Sequence, residues 1–197
     1  MSTKPRIGIL ALQGDFDSHA NALAKYDFTT SFIKKSSDFS LVDGIIIPGG
    51  ESSTLLKLLE RKLQESLCEK INRGFPTFVT CAGLILLAKK VTDPSQFSLG
   101  LINCTVQRNA YGRQCDSFIT DSLENISSVH LTQENESTEG IFIRAPKITV
   151  CDNSCETILA YNSSPVLIKE NNCLAATFHP ELCESKHLAY RIFKEMF

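Results

Sequence analysis

Three side chains in this chain have the types that acyl transfer through a thiol requires. They are the cysteine of "TCAG" (Cys81) and the histidine and carboxylate of "FHPEL" (His179 and Glu181). A thiolate attacks a carbonyl carbon, an imidazole carries the proton, and a carboxylate holds the imidazole in one orientation. "TFVT" reads as a strand and "AGLILLAKK" as a helix, so Cys81 falls at the sharp corner between them. That is the logic of a nucleophile elbow, with sulfur in place of a serine oxygen. A helix start at Ala82 favours the thiolate. Gly83 removes a side chain where the helix must pass close to the strand. Read alone, "TCAG" is equally a small buried cysteine at a turn.

The base must come from four histidines. His19 falls on the first helical stretch, His130 in a polar segment and His187 on the last helix. His179 closes an apolar strand, and Pro180 biases it towards an extended backbone. In extended chain, residues i and i+2 point the same way, so Glu181 shares a face with His179. A third element, "IIIPGGESST", ends a buried strand in Gly49-Gly50. Paired glycines let backbone N–H groups approach a ligand closely. The N–H groups of Gly50 and Ala82 are therefore the candidates for an oxyanion hole. Alone, "PGG" reads as an ordinary strand-to-helix turn with Ser52 or Ser53 as N-cap.

The elements that position these groups follow from the apolar pattern. "IGILAL", "TTSFIKK", "DGIIIPGG" and "PTFVT" read as strands. Between them lie the helical stretches "DFDSHANALAKY" and "ESSTLLKLLERKLQESLCEKINRG", the second broken near Lys62. Short apolar strands separated by helices predict an α/β fold: a flavodoxin-like, mostly parallel central sheet with helices on both faces. Ligands are expected beyond the C-terminal ends of its strands. After Leu99 short β segments dominate, predicting antiparallel additions in the C-terminal half. "KENNCLA" reads as a hairpin, with Asn171-Asn172 tolerant of positive φ. Asp121 to Gly140 reads as a polar surface loop, and "ESKHLAYRIFKEMF" as an amphipathic helix. No repeat or linker divides residues 1–197, which are read as one domain.

Composition narrows the function classes. A net charge of −2 without a basic run argues against nucleic acid as a partner. The longest apolar runs are too short to span a bilayer. The N-terminal "MSTKPRIGILALQGD" reads as a first strand rather than a leader, so a cytoplasmic location is expected. Eight cysteines include no CxxC pair. "CDNSC" (Cys151 to Cys155) lacks the second pair a zinc site requires. Reduced thiols and no metal are expected.

The three motifs, in the order Gly loop, cysteine, His-x-Glu, resemble the class I, triad-type glutamine amidotransferases. "GILALQGDF", "DGIIIPGGESS", "TCAGLILLAK", "VQRNAYGRQCDSF", "IFIRAP" and "FHPEL" carry the resemblance over most of the chain. "RNAYGRQ" and "FIRAP" are similar to the subfamily of glutaminase subunits of pyridoxal 5′-phosphate synthases. Val79, "GGESS" and Cys183 stand where that pattern more often has Gly, "GGEST" and Thr. The resemblance implies hydrolysis of L-glutamine with no cofactor, and delivery of ammonia to a separate synthase subunit in a large hetero-oligomer. It implies Cys81 as nucleophile, His179 as proton carrier and Glu181 as its orienter. It also implies that Gly49, Gly50, Glu51, Arg108, Ile143 and Arg144 bind glutamine. Arg108 suits the α-carboxylate and Glu51 the α-ammonium. Two other readings stay open at this point: service to a different ammonia-using synthase, and a non-catalytic regulatory paralogue.

Overall fold

The computed structural model describes residues 4–110, 117–130 and 132–197. Much of the motif stretch "AYGRQC", including Cys115, lies outside the described residues. The first half runs β1 (Arg6–Leu10), α1 (Phe16–Leu23), β2 (Thr29–Ile33), β3 (Gly44–Ile47), α2 (Ser52–Leu58), α3 (Arg61–Asn72), β4 (Thr77–Thr80) and α4 (Ala82–Leu87). The second half runs β5 (Ala88–Thr92), β6 (Ile102–Gln107), β7 (Phe118–Thr120), β8 (Glu124–Asn125), β9 (Glu136–Ser137), β10 (Gly140–Phe142), β11 (Lys147–Cys151), β12 (Glu156–Tyr161), β13 (Ser164–Glu170), β14 (Cys173–Ala176), β15 (Lys186–His187) and α5 (Leu188–Lys194).

The main sheet has the order β2-β1-β3-β4-β14-β13-β12-β8. Its first five strands are parallel, which is the flavodoxin-like order with β14 as fifth strand. The remaining pairings are antiparallel. Every residue of β3, β4 and β14 is buried, as expected for strands covered on both faces. One apolar layer gathers Leu10, Ile45, Val79, Leu84 and Leu67. The other gathers Ile9, Ile46, Phe78, Leu174 and Phe193. Alternation along each strand sends its neighbours to opposite layers, and this fixes the register.

Four local expectations change. The long helix breaks at Leu59 and Glu60 rather than Lys62, because Leu59 leaves helical geometry at ψ 91°. "AGLILLAKK" stops being helical at Leu87. All six residues of α4 are buried, and Ala88 turns into β5 to pair with β6, so sheet pairing overrides helix propensity. The final helix begins at Leu188, with Lys186–His187 paired as β15. The polar segment after Asp121 is tied down rather than loose: β8 joins the main sheet, and Leu123, Ser127 and His130 are buried. The "ENNC" hairpin forms between β13 and β14, with Asn171 at φ 53°. Among the described residues no helix is long and apolar enough to cross a membrane.

Candidate active site

Four parallel strands end at one edge of the sheet, and each delivers one part of a cleft. The segment after β1 supplies Gln13 and Gly14, the end of β3 supplies Gly49 and Gly50, β4 leads into Cys81, and β14 leads to His179. The cleft has a volume of about 240 Å³ and is lined by Gly50, Glu51, Ser52, Cys81, Ile85, Arg108, Asn109, Ile143, Arg144 and His179. Seven of these lining positions were candidates from sequence.

Cys81 sits at φ 45°, ψ −102°. No ordinary L-residue conformation lies there, so the turn holds about 1–3 kcal/mol of strain that the surrounding sheet must sustain. Its N–H donates to the Ala176 carbonyl at 2.9 Å, which ties the elbow to β14. Gly83 is required by close approach: a Cβ there would run into the Ile47 carbonyl. Val79, where glycine is more usual, is fully buried in β4 between Ile47 and Ala175.

The imidazole of His179 bonds Glu181 Oε1 through Nδ1 at 2.7 Å. With Nδ1 so engaged, Nε2 is the nitrogen left for Cys81, whose proximity favours the imidazolium. The i, i+2 contact forms for a reason other than the one expected. His179 is not in regular extended backbone (φ −113°, ψ 78°), and Pro180–Leu182 is a 3₁₀ turn that swings Glu181 under the imidazole. Burial disfavours the imidazolium, but Cys81 and Glu181 outweigh it and raise the His179 pKa to about 10. Burial raises the Glu181 carboxyl, and the hydrogen bond and charge of His179 help bring it below the ordinary carboxylate value. The favoured state is therefore an imidazolium backed by the Glu181 carboxylate.

Glu51 caps α2, and its carboxylate accepts from the N–H groups of Ser53 at 3.2 Å and Thr54 at 2.7 Å. The Ser53 and Thr54 hydroxyls also donate to it at 2.7 Å, so Ser53 of "GGESS" serves the cap. The hydroxyls of Thr54 and Ser53 hold its pKa down at about 2. Arg108 Nη2 lies 3.6 Å from Glu51 Oε1. The cap residue is thus Glu51, not Ser52 or Ser53. A charge of each sign stands at the cleft wall, as a zwitterion needs. Arg144 (φ 47°) and Asn109 (φ 51°) both take left-handed backbone at the cleft, and such outliers cluster where a ligand is held.

Gly50 has φ 146°, open only to glycine. The Gly49 carbonyl is turned onto Gly14, so the trans peptide sends the Gly50 N–H to the opposite side. Ala82 opens α4, and its N–H has no partner within the helix. Gln13, within the "GILALQGDF" stretch that carries the resemblance, has no role assigned from sequence. Its Oε1 accepts from Glu51 N–H at 2.9 Å, while its Nε2 is buried with no hydrogen-bond partner among the described residues. Ser52, Ile85 and Asn109 were also missed. Each lies within a recognised motif, but nothing in its residue type separates it from a core or turn position.

The fold is that of the glutamine amidotransferases. A crystal structure of a glutamine amidotransferase matches with a TM-score of 0.85 at 36% identity, covering 96% of this chain and 97% of that one. The chain belongs to the SNO glutamine amidotransferase family, whose model matches residues 9–197. Its curated relatives include the pyridoxal 5′-phosphate synthase subunit PdxT of Thermotoga petrophila and that of Thermotoga maritima. Each is 45% identical over 192 residues, which is 97% of this chain and 98% of the relative.

Proposed function

We propose that the chain, acting as one glutaminase domain in the cytoplasm, hydrolyses L-glutamine to L-glutamate and ammonia for pyridoxal 5′-phosphate synthesis. The observation that carries the reading is the gathering of Cys81, His179 and Glu181 with Glu51 and Arg108 around a single cleft. Arg108 receives the substrate α-carboxylate, Glu51 the α-ammonium, and the Ile143–Arg144 segment closes the far wall. The side-chain amide then faces Cys81.

Cys81 Sγ attacks the amide carbon, and the oxyanion forms against the N–H groups of Gly50 and Ala82. His179 Nε2–H protonates the leaving nitrogen, the C–N bond breaks, and ammonia departs from a γ-glutamyl thioester. The neutral imidazole then takes a proton from water. Hydroxide adds to the thioester carbon, the C–S bond breaks, and glutamate leaves. Glu181 keeps Nε2 turned towards sulfur throughout and carries no proton itself.

The ammonia passes to a separate synthase subunit in a hetero-oligomer. The relatives' names identify that synthase as the one making pyridoxal 5′-phosphate. The test is glutamine turnover by purified protein with and without the synthase subunit. The complex should make pyridoxal phosphate from glutamine or from ammonium. A Cys81→Ala complex should respond to ammonium alone. If ammonium fails to rescue that variant, Cys81 has a role beyond ammonia release and the mechanism is wrong.

A further inference from the structure

Glu181 has two carboxylate oxygens, and the triad uses one. Oε1 takes the His179 bond, while Oε2 is buried without a hydrogen-bond partner among the described residues. The Glu181 side chain is wholly inaccessible to solvent. A half-satisfied carboxylate in such a place must be compensated or it becomes protonated or misplaced. The group facing Oε2 is His19 Nε2, 3.6 Å away, on a side chain that is itself fully buried.

His19 is held from two further sides. Its Nδ1 lies 2.7 Å from the Tyr190 hydroxyl on α5, and its Nε2 lies 3.2 Å from Thr80 Oγ1 at the end of β4. Burial lowers the His19 pKa, with Glu181 and Asp15 opposing and His179 assisting, so the ring is neutral near pH 7. A neutral ring has one N–H. A proton on Nδ1 would aim the Nε2 lone pair at the Glu181 carboxylate. The consistent tautomer has Tyr190 O–H donating to Nδ1 and Nε2–H directed between Thr80 Oγ1 and Glu181 Oε2. His19 thereby connects α1, α5 and the residue preceding the nucleophile to the back of the carboxylate.

We infer that His19 is a positioning residue of the glutaminase, holding Glu181 in the rotamer and charge state that keep His179 an imidazolium, with Tyr190 selecting its tautomer. This rests on the proposed triad. It extends the array one step, to Cys81–His179–Glu181–His19–Tyr190, and it touches no substrate. The ionisable groups that bear on it are Glu181 and His179 from the turn after β14, Asp15 before α1, and Tyr190 from α5.

The test uses His19→Leu, His19→Gln and Tyr190→Phe in the complex with the synthase subunit. Glutamine turnover and the pH dependence of Cys81 alkylation by iodoacetamide are both measured. Gln places an amide donor near the Nε2 position, whereas Leu has none. His19→Leu should lower kcat by about 10- to 100-fold, the scale for removing a group that orients an active-site side chain. KM should stay within about twofold, since no substrate contact is lost. The alkylation limb governed by His179 should move to lower pH, because a displaced Glu181 no longer supports the imidazolium. His19→Gln should recover most of both effects, and Tyr190→Phe should reproduce them more weakly.

A merely structural role would reduce the active fraction in all variants and leave the limb in place; that result overturns the inference. So does a His19→Leu protein with unchanged kcat. Cys81→Ala and His179→Ala run alongside. If they keep turnover the triad reading has failed, whereas if they lose it while the His19 variants do not, this inference alone has failed.

Discussion

Two regions of the molecule place cysteines in opposite surroundings. At the C-terminal edge of the parallel strands, Cys81 stands on a strained elbow beside an imidazole backed by a carboxylate. On the small sheet β11-β6-β5, Cys104 lies opposite Cys151, and Cys155 follows in the next turn. There burial acts on the thiols first, followed by one another and Glu170. Burial, then Cys151 and Glu170, push Cys155 up to about 12, and burial, then Cys151 and Cys155, push Cys104 higher still. Glu170 is occupied in structure, accepting from Asn103 N–H at 2.8 Å and from Ser154 Oγ. Burial first, and the neighbouring thiols and carboxylate after it, disfavour the thiolate at Cys104 and Cys155. The proposed nucleophile, by contrast, has a raised-pKa imidazole and a strained backbone beside it. Sulfur content says little about reactivity; burial and the sign of the adjacent charge decide it.

The sharpest way to break this contrast is to remove the proposed nucleophile. Cys81→Ala should lower glutamine hydrolysis by about 10⁴-fold or more. A diazo-ketone glutamine analogue should label Cys81 alone among the eight cysteines. Label recovered on Cys155 or Cys104 would erase the distinction between the two regions.

Within the reactive region, the two partners of the thiol should differ. His179→Ala should approach Cys81→Ala in severity, and Glu181→Gln should be less damaging by about a hundredfold, since it orients rather than transfers. The double variant should match His179→Ala. Equal losses for Glu181→Gln and His179→Ala would contradict this division of roles.

The substrate wall is the next test. Arg108→Ala should raise KM about 10- to 100-fold, the worth of a charge-assisted bond, while kcat changes less. A fall confined to kcat would place Arg108 at the chemistry instead.

The pH response distinguishes the regions further. A histidine whose pKa is raised by folding stabilises the native state fully below its unfolded value of about 6.5. That contribution is lost as pH rises through about 10. Glutamine kcat/KM should therefore hold across neutral pH and decline as pH rises through about 10. Thermal melts of His179→Ala and the parent should converge above that range. An alkaline limb near pH 7 would mean that the imidazolium is not supported as described. The smallest expected effect belongs to the inert region: Cys155→Ser and Cys104→Ser should leave glutamine turnover within about twofold of the parent. A larger loss without loss of folded protein would show that those thiols serve the site.

Part of this molecule is legible from residue order alone. Buried apolar runs such as "GIII" and "TFVT" can only be strands covered on both faces, because no polar face remains to meet water. Paired glycines, a cysteine at a strand–helix corner and His-x-Glu after an apolar strand are local features, so Gly49, Gly50, Cys81, His179 and Glu181 were identifiable by motif. What the chain order could not convey was which distant segments would meet. That "LAKK" leaves the helix depends on β6, whose paired residues begin more than ten positions later. That Glu51 caps a helix depends on the torsion of Gly50. The approach of His19 to Glu181, with Tyr190 behind it, depends on α1 and α5 packing onto the same face of β4. A lone histidine on an amphipathic helix carries no mark of its partners. Motifs record short-range geometry, whereas the compensation of a buried charge is decided by whatever the fold brings within a few ångströms of it.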